Sequence, residues 1–398
     1  MAWIDTLLSA FKGGETSRVP LAPGFVTGLP GDWLHAFEDN TPEAFEYVSA
    51  VRRSFLSNPI AQRAVRIVAE GIAQAPLTSS DPALTALVTT TSAGQSLIET
   101  LAAHLLLHGN GYVQIMKDAA GEPFELFALR PDRVQIIADQ AGWPQGIDYM
   151  VGAERRHMPF LDEDGWPGLV QIKAMHPLED HYGASALAAA HQAVRIHNAA
   201  SAWNRALLDN AARPSGALVY DGGDGAGLTT DQFERLKCEL ASAFSGAGNA
   251  GRPMLLDGGL KWQSMALSPA DMDFATLKST AAREIALAFG VPPMLLGLPG
   301  DNTYSNYREA NRALWRLTLL PLASKLFGAL SEGLQAWFPG ASIGVDLDLV
   351  PALSEDRERL WKQVSDADFL TEAEKRELLG FPARPEPARS ETRIGEQP

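Results

Sequence analysis

The chain has one cysteine in 398 residues, Cys238. A single thiol excludes an intramolecular disulfide and a cysteine-based zinc site, and it fits assembly in a reducing, intracellular compartment. Basic charge is also scarce: 33 Lys and Arg against 48 Asp and Glu leave a formal charge of −15. Tight grip on phosphate needs clustered cations that displace counterions, so this composition argues against a nucleic-acid clamp. Nucleic acid as a passenger is still allowed, because an acidic wall repels it and lets it slide. Long apolar runs are missing too. A helical span needs about 20 apolar residues, and the best candidate, Leu317 to Leu330, is broken by Pro321 and Lys325. No membrane partner is expected. The first residues, Met1 to Phe11, have no basic stretch and are interrupted by Asp5, so they do not read as a signal peptide. Trp3, Leu7, Leu8 and Phe11 are spaced for a short amphipathic helix docking on its own chain or a neighbour.

Catalytic signatures are equally sparse. No Gly-x-x-x-x-Gly-Lys-Ser/Thr loop occurs, so ATP hydrolysis is not expected. Gly246-Ala-Gly248-Asn-Ala-Gly251 has the spacing of a dinucleotide fingerprint, but it follows an expected helix and leads into a strand. That order is the reverse of the one in which a helix N-terminus receives a pyrophosphate. Asp221-Gly-Gly-Asp224-Gly lacks the later ligands of a calcium loop and reads as a turn. Gly183-Ala-Ser185 lacks the second glycine of a nucleophile elbow and reads as a helix start. The eight histidines contain no His-Glu-x-x-His pair. His176, Asp180 and His181 come nearest to a cluster and read as structural or solvated loop residues, with an acidic α/β hydrolase or metalloenzyme as the rival reading. No catalytic residue, metal or cofactor is expected.

What is present is ordinary globular material, 46% apolar and 20% charged, with length enough for two or three domains. Residues 12 to 40 are rich in Gly and Pro and predict an extended arm. Thr41-Pro42-Glu43 predicts a helix start, and Ala61, Ala64, Val65, Val68 and Ile72 mark one face of a helix over Pro59 to Ala75. A further helix is expected over Ser96 to His108, then short strands between Gly111 and Ile172. An alanine-rich helix is predicted over Tyr182 to Asn210, with one apolar stripe through Leu187, Ala190 and Val194 and another through Ile196, Ala200, Trp203 and Leu207. Small side chains on two faces favour close neighbours on two sides.

A compact α/β insert follows, with strands over Ala217 to Tyr220, Met254 to Leu256 and Lys261 to Met265, and a helix over Thr230 to Phe244 that holds Cys238. Ser268-Pro269-Ala270-Asp271 caps a second helix to about Phe289. The prolines and glycines of 291 to 304 predict a loop. Ser305 to Trp337 then predicts a helix about 50 Å long, kinked at Pro321. A strand over Ile343 to Leu349 precedes two capped helices, Ser354 to Ser365 and Thr371 to Leu379, and a proline-containing tail expected to be disordered.

Phe289-Gly-Val-Pro-Pro-Met-Leu-Leu-Gly297 and Tyr304-Ser-Asn-Tyr-Arg-Glu-Ala-Asn-Arg-Ala-Leu-Trp-Arg-Leu-Thr-Leu-Leu-Pro321 resemble the portal proteins of long-tailed phages, prophages and gene transfer agents. The resemblance continues in order through His108-Gly-Asn-Gly-Tyr-Val, Leu129-Arg-Pro-Asp-Arg-Val, Arg213-Pro-Ser-Gly and Asn249-Ala-Gly-Arg-Pro-Met-Leu-Leu-Asp-Gly-Gly-Leu-Lys-Trp262, covering residues 45 to 337. It implies an α+β portal fold. The parts would be an N-terminal arm (1–40), a wing (41–182), a stem helix (183–213), a small α/β clip (214–267) and a second stem helix (268–290). A tunnel loop (291–305), the rest of the wing with its long kinked helix (306–352), and a short helical crown with the tail (353–398) would complete it.

The same resemblance implies a dodecameric ring of this chain at one capsid vertex of a virion or phage-like particle assembled in the bacterial cytoplasm. Double-stranded DNA would pass through the channel. The clip would dock the terminase large subunit and later a head-tail adaptor protein, and the wing would touch the major capsid protein. Asp271, Asp273 and Glu284 on the second stem helix, with Asp301, Asn302, Thr303 and Tyr304 in the tunnel loop, would face or approach DNA. Lys278, Arg283 and Asn302 would make brief phosphate contacts, and Asp221, Asp224, Asn249 and Arg252 would sit in the docking face of the clip. A non-portal adaptor or scaffold of the same particle is the other reading.

Overall fold

The computed structural model describes residues 45–92, 94–209, 216–220, 260–264, 274–299 and 304–380, together with positions 229, 231, 233–235 and 238. The chain divides into Met1–Phe45 and Glu46–Pro398, and apart from Phe45 everything described belongs to the second unit. The arm, the tail and most of the expected clip lie outside the described residues. So do the helix start at Thr41 and the strand at Met254.

Helix α1 (Tyr47–Arg53) starts where the Glu46 carboxylate accepts from the backbone N–H groups of Val48 and Ser49, six residues beyond Thr41. Helix α2 (Pro59–Ala73) has Asn58 as its cap and Pro59 in its first turn. Its buried face is Ala61, Ala64, Val65, Val68 and Ile72, as the 3.6-residue spacing predicts, with Ala69 added. A short strand β1 (Leu77–Ser79), helix α3 (Pro82–Thr89) and a two-residue pairing of β2 (Thr91–Ser92) with β3 (Gln95–Ser96) lead to α4 (Leu97–His108). Helices α2 and α4 pack together and, with later helices, enclose the main core.

The short strands predicted between Gly111 and Ile172 form two antiparallel sheets. Strands β4 (Asn110–Lys117), β5 (Pro123–Leu129), β6 (Val134–Ala138), β7 (Pro144–Val151), β8 (Glu154–Pro159) and β9 (Leu169–Lys173) pair in the orders β5-β4-β9 and β6-β7-β8. Tyr112, Leu129, Ile147, Met158 and Leu169 form a second, smaller core with side chains from both sheets.

Three turns here share one construction. Asp118, Asp139 and Asp162 each accept, at Oδ1, the backbone N–H groups two and four residues on, and a glycine three residues on has φ of +82° to +88°. All three turns lie at one end of the sheets. The β4–β5 and β6–β7 turns stand beside the start of β9 and the end of β8, since Gln114 pairs with Leu169 and Gly146 with Pro159. The link from Phe160 to Gly168 therefore carries the third turn to the same place.

Helix α5 (Ala186–Asp209) starts four residues later than Tyr182 because Ser185 Oγ accepts from Ala188 N over 2.8 Å and caps it. Strands β10 (Gly216–Tyr220) and β11 (Leu260–Ser264) pair antiparallel, as two of the insert's strands should. Positions 231, 233–235 and 238 are helical, and Cys238 is exposed. Helix α6 (Phe274–Ala288) packs along α5.

The long helix has three parts. Helix α7 (Tyr304–Leu314) runs into a π-helical turn (Trp315–Leu319) and then α8 (Leu320–Leu334), which stops three residues short of Trp337. The irregularity sits just before Pro321 and not on it: Pro321 has no N–H for the carbonyl of Leu317, and the chain widens so that Leu320 N–H reaches Trp315 O. Asn306–Leu334 has the length and hydropathy to cross a bilayer. One face, with Ala323, Leu326, Phe327, Leu330 and Leu334, is instead buried in the main core.

The strand expected over Ile343 to Leu349 is cut short. Strand β12 (Ile343–Val345) pairs with β1, then the Asp346 carboxylate takes the N–H of Asp348 and starts a 3-10 turn, Leu347–Leu349. Helices α9 (Ser354–Ser365) and α10 (Glu372–Leu378) close the described chain, α10 with the capping box of Thr371 and Glu374 that the sequence predicts.

Candidate functional site

Helices α5 and α6 and the segment after α6 hold the residues singled out from the sequence. Small residues line their contact: Ala200 of α5 and Ala281, Ala282 and Ala286 of α6 are buried. At the far end of the pair Trp203 stacks on Phe274, with ring centroids 4.1 Å apart and planes at 23°. The exposed face of α6 carries Leu277, Arg283, Glu284 and Leu287. One cation beside one anion leaves this face with no net grip on phosphate.

A buried polar hub fixes the near end of α5. Asn58 Nδ2 lies 3.0 Å from His197 Nδ1 and donates to Asn198 Oδ1 over 2.8 Å, while Asn58 Oδ1 caps α2 through the N–H groups of Ile60 and Ala61. Asn198 Nδ2 in turn donates to the Arg53 carbonyl at 2.8 Å. Because the Asn58 oxygen is already engaged, its amide donates and His197 Nδ1 accepts, which requires a neutral ring. Burial and the nearby Lys278 ammonium both lower the His197 pKa in the same sense.

A third contact closes the other end of α6. Gly290 has φ +66°, and its carbonyl accepts from Thr318 Oγ1, in the π turn, over 2.6 Å. Beyond it the expected loop includes a 3-10 turn, Pro293–Leu296, and Arg283 donates from Nη2 to the Pro299 carbonyl. Further along, Arg308, Arg312 and Arg316 form one stripe of the long helix. Arg308 and Arg312 grip Glu355 at 2.5 and 2.6 Å, and Arg312 and Arg316 approach Asp356 at 3.4 and 3.7 Å, joining the long helix to the start of α9.

Of the residues predicted to matter, Lys278, Arg283 and Glu284 share α6, with Lys278 half-buried and the other two exposed. Tyr304 requires a correction: it opens α7 and is not part of a loop, the helix having no proline or glycine between Tyr304 and Pro321 to stop it. Asp271, Asp273, Asp301, Asn302 and Thr303 lie outside the described residues, as do Asp221, Asp224, Asn249 and Arg252. His176, Asp180 and His181 engage local backbone: His176 Nδ1 accepts from Leu178 N, and the Asp180 carbonyl and His181 carbonyl accept from Lys173 and Gln171. Among the described residues no group of three His, Cys, Asp or Glu could hold a metal ion. The Asn58–His197 hub was visible only as the cap Asn58-Pro59. The arginine stripe at i, i+4, i+8 was legible, but its partners are about 40 residues further on.

The family model described as phage portal protein matches residues 59–380. The chain belongs to the phage portal protein family. A chain from the neck of the native gene transfer agent (GTA) particle, computed with C12 symmetry, is 47% identical to this portal-family chain, covers 85% of it and 94% of itself, and superposes with a TM-score of 0.65. A protein of Rickettsia bellii (strain RML369-C) is 41% identical over 295 residues, 73% of this chain and 74% of that one. The crystal structure of an HK97 family phage portal protein from Corynebacterium diphtheriae, 17% identical, shares the fold with a TM-score of 0.55 over 77% of this chain and 98% of its own. The portal family is one of structural proteins, and its fold here is α+β.

Proposed function

We propose that twelve copies of this chain form the portal ring at one vertex of a virion or phage-like particle, assembled in the bacterial cytoplasm, and that double-stranded DNA is packaged and ejected through it. The observation that carries this is the 47% identity, over nearly the whole of both chains, to a subunit of a C12 particle neck. In this reading α5 and α6 are the stem. Residues 214–267 are the clip that receives the terminase large subunit and then the head-tail adaptor, 291–303 the tunnel loop, and the arm–wing–crown division is that implied by the resemblance. The wing meets the major capsid protein.

The chain acts as a conduit and not as an enzyme. A net charge of −15 and the mixed exposed face of α6 suit a wall along which DNA slides, with Lys278 and Arg283 making brief, register-free contacts. Asp271, Asp273, Asp301 and Asn302 would add to that wall, and Asp221, Asp224, Asn249 and Arg252 to the docking face. Deleting residues 298–303 tests the assignment of the loop. Rings should still assemble while packaging or retention of DNA fails; loss of folding would show that the segment belongs to the core.

A further inference from the structure

The three Asp-built turns described above hold large apolar side chains in water. Trp143 and Trp166 occupy the same place in two of them, the residue after the glycine. Each Trp N–H donates to its turn aspartate at 2.8 Å, and the side chains are 71% and 40% exposed. Phe124, just past the first turn, and Leu161, just before the third, are 53% and 57% exposed at the same end of the sheets. The tip is also anchored. Lys117 bridges to Asp162 and lies 5.0 Å over the Trp337 ring, Trp337 donates to the Gly121 carbonyl at 2.9 Å, and Trp166 packs on Trp337 at 5.2 Å.

Rigid tips that expose tryptophan lose little freedom on binding, and tryptophan dominates the energetics of protein interfaces. The charge around them has one sign. The turns contribute Asp118, Glu122, Asp139, Asp162, Glu163 and Asp164, against Lys117, which is already paired. Such a surface repels DNA and selects a basic partner, whose arginines can also lie on the indole faces. Its position adds direction: β9 begins at the tips and leads from its opposite end into α5, so the tips point away from the α5–α6 pair.

We infer that the three turn tips with Trp143 and Trp166 form a docking surface for a protein that presents basic side chains around an apolar recess, and that this protein is the shell subunit surrounding the ring. This rests on the portal reading, which places α5 and α6 at the axis and the tips at the rim. The test is co-assembly of the full-length chain with the shell protein of its own particle, followed by sedimentation of ring-bound shells. Ring formation is scored separately by electron microscopy.

Trp143→Ala, whose side chain is the more exposed, and Glu163→Lys combined with Asp164→Lys should leave ring formation unchanged and weaken shell binding at least about tenfold. Raising salt should weaken the wild-type complex and have less effect on the charge-reversed one. Unchanged shell binding in both variants would overturn the inference. So would a changed number of copies per ring, which would make the tips a contact between subunits. Failure of the wild-type chain to form rings at all would instead remove the portal reading itself.

Discussion

Thr318 Oγ1 lies 2.6 Å from the carbonyl oxygen of Gly290, so the π turn of the long helix is fastened to the last residue of the helix that precedes the predicted tunnel loop. A Cβ at Gly290 would stand 2.6 Å from that hydroxyl, in a backbone conformation (φ +66°) that disfavours any side chain. Gly290→Ala should therefore lower stability by about 1–3 kcal/mol. Adding Thr318→Ala should relieve the clash while leaving the backbone strain, so the double variant should be less destabilised than the sum of the two single ones. Thermal unfolding of the four proteins measures this; strict additivity would mean the two residues are not coupled.

The hub at Asn58 gives a second expectation. Asn58→Ala removes the cap of α2 and strands the buried His197 and Asn198 partners. A lost cap costs about 1 kcal/mol and an orphaned buried partner about 1–3 kcal/mol, so a total near 2–4 kcal/mol is expected. Asn58→Asp should also destabilise: it keeps the cap but replaces the amide that His197 Nδ1 and Asn198 Oδ1 accept from. Denaturant unfolding at neutral pH checks both.

His104 provides the pH dependence. Burial, then the neighbouring His108, lowers its pKa from 6.5 to about 4, despite the opposing Asp132 carboxylate. The unfolded chain therefore binds a proton between about pH 6.5 and pH 4 that the folded chain refuses, and stability falls as pH drops through that window. The full contribution is on the order of 3 kcal/mol. Burial shifts His108 and His197 in the same direction. Replacing His104 by Gln should flatten the stability–pH curve between pH 6.5 and 4 relative to wild type; an unchanged slope would assign the effect to other groups.

Arg312 ties the long helix to α9 through Glu355 and Asp356, and the Glu355 hydrogen bond is the main cause that raises its own pKa. Arg312→Met should loosen α9 and α10 without disturbing α2 and α4. Hydrogen exchange would show faster amide exchange over 354–378 alone. Uniform acceleration across the chain would mean that the arginine supports the core.

Local rules account for much of what was legible in the sequence. The buried face of α2, the cap Ser96 before α4, the Thr371 box and the pairing of 216–220 with 260–264 all follow from periodicity, cap chemistry and turn residues within a short window. The features that escaped depend on distant partners. Nothing near Thr318 announces Gly290, and nothing near Glu355 announces Arg312. The three Asp-x-x-Gly turns are spaced 21 and 23 residues apart (118 to 139, 139 to 162), so a search for a fixed period passes over them. In the candidate site, the family resemblance placed Lys278, Arg283 and Glu284 on one helix, whereas Tyr304 was misplaced because the loop's glycines and prolines end at Gly300 and set no boundary for the helix that follows.

The central claim is most directly tested by negative-stain electron microscopy of the purified full-length protein. The account predicts rings with an open axial hole and twelvefold rotational symmetry. Compact monomers or dimers under every assembly condition would contradict it.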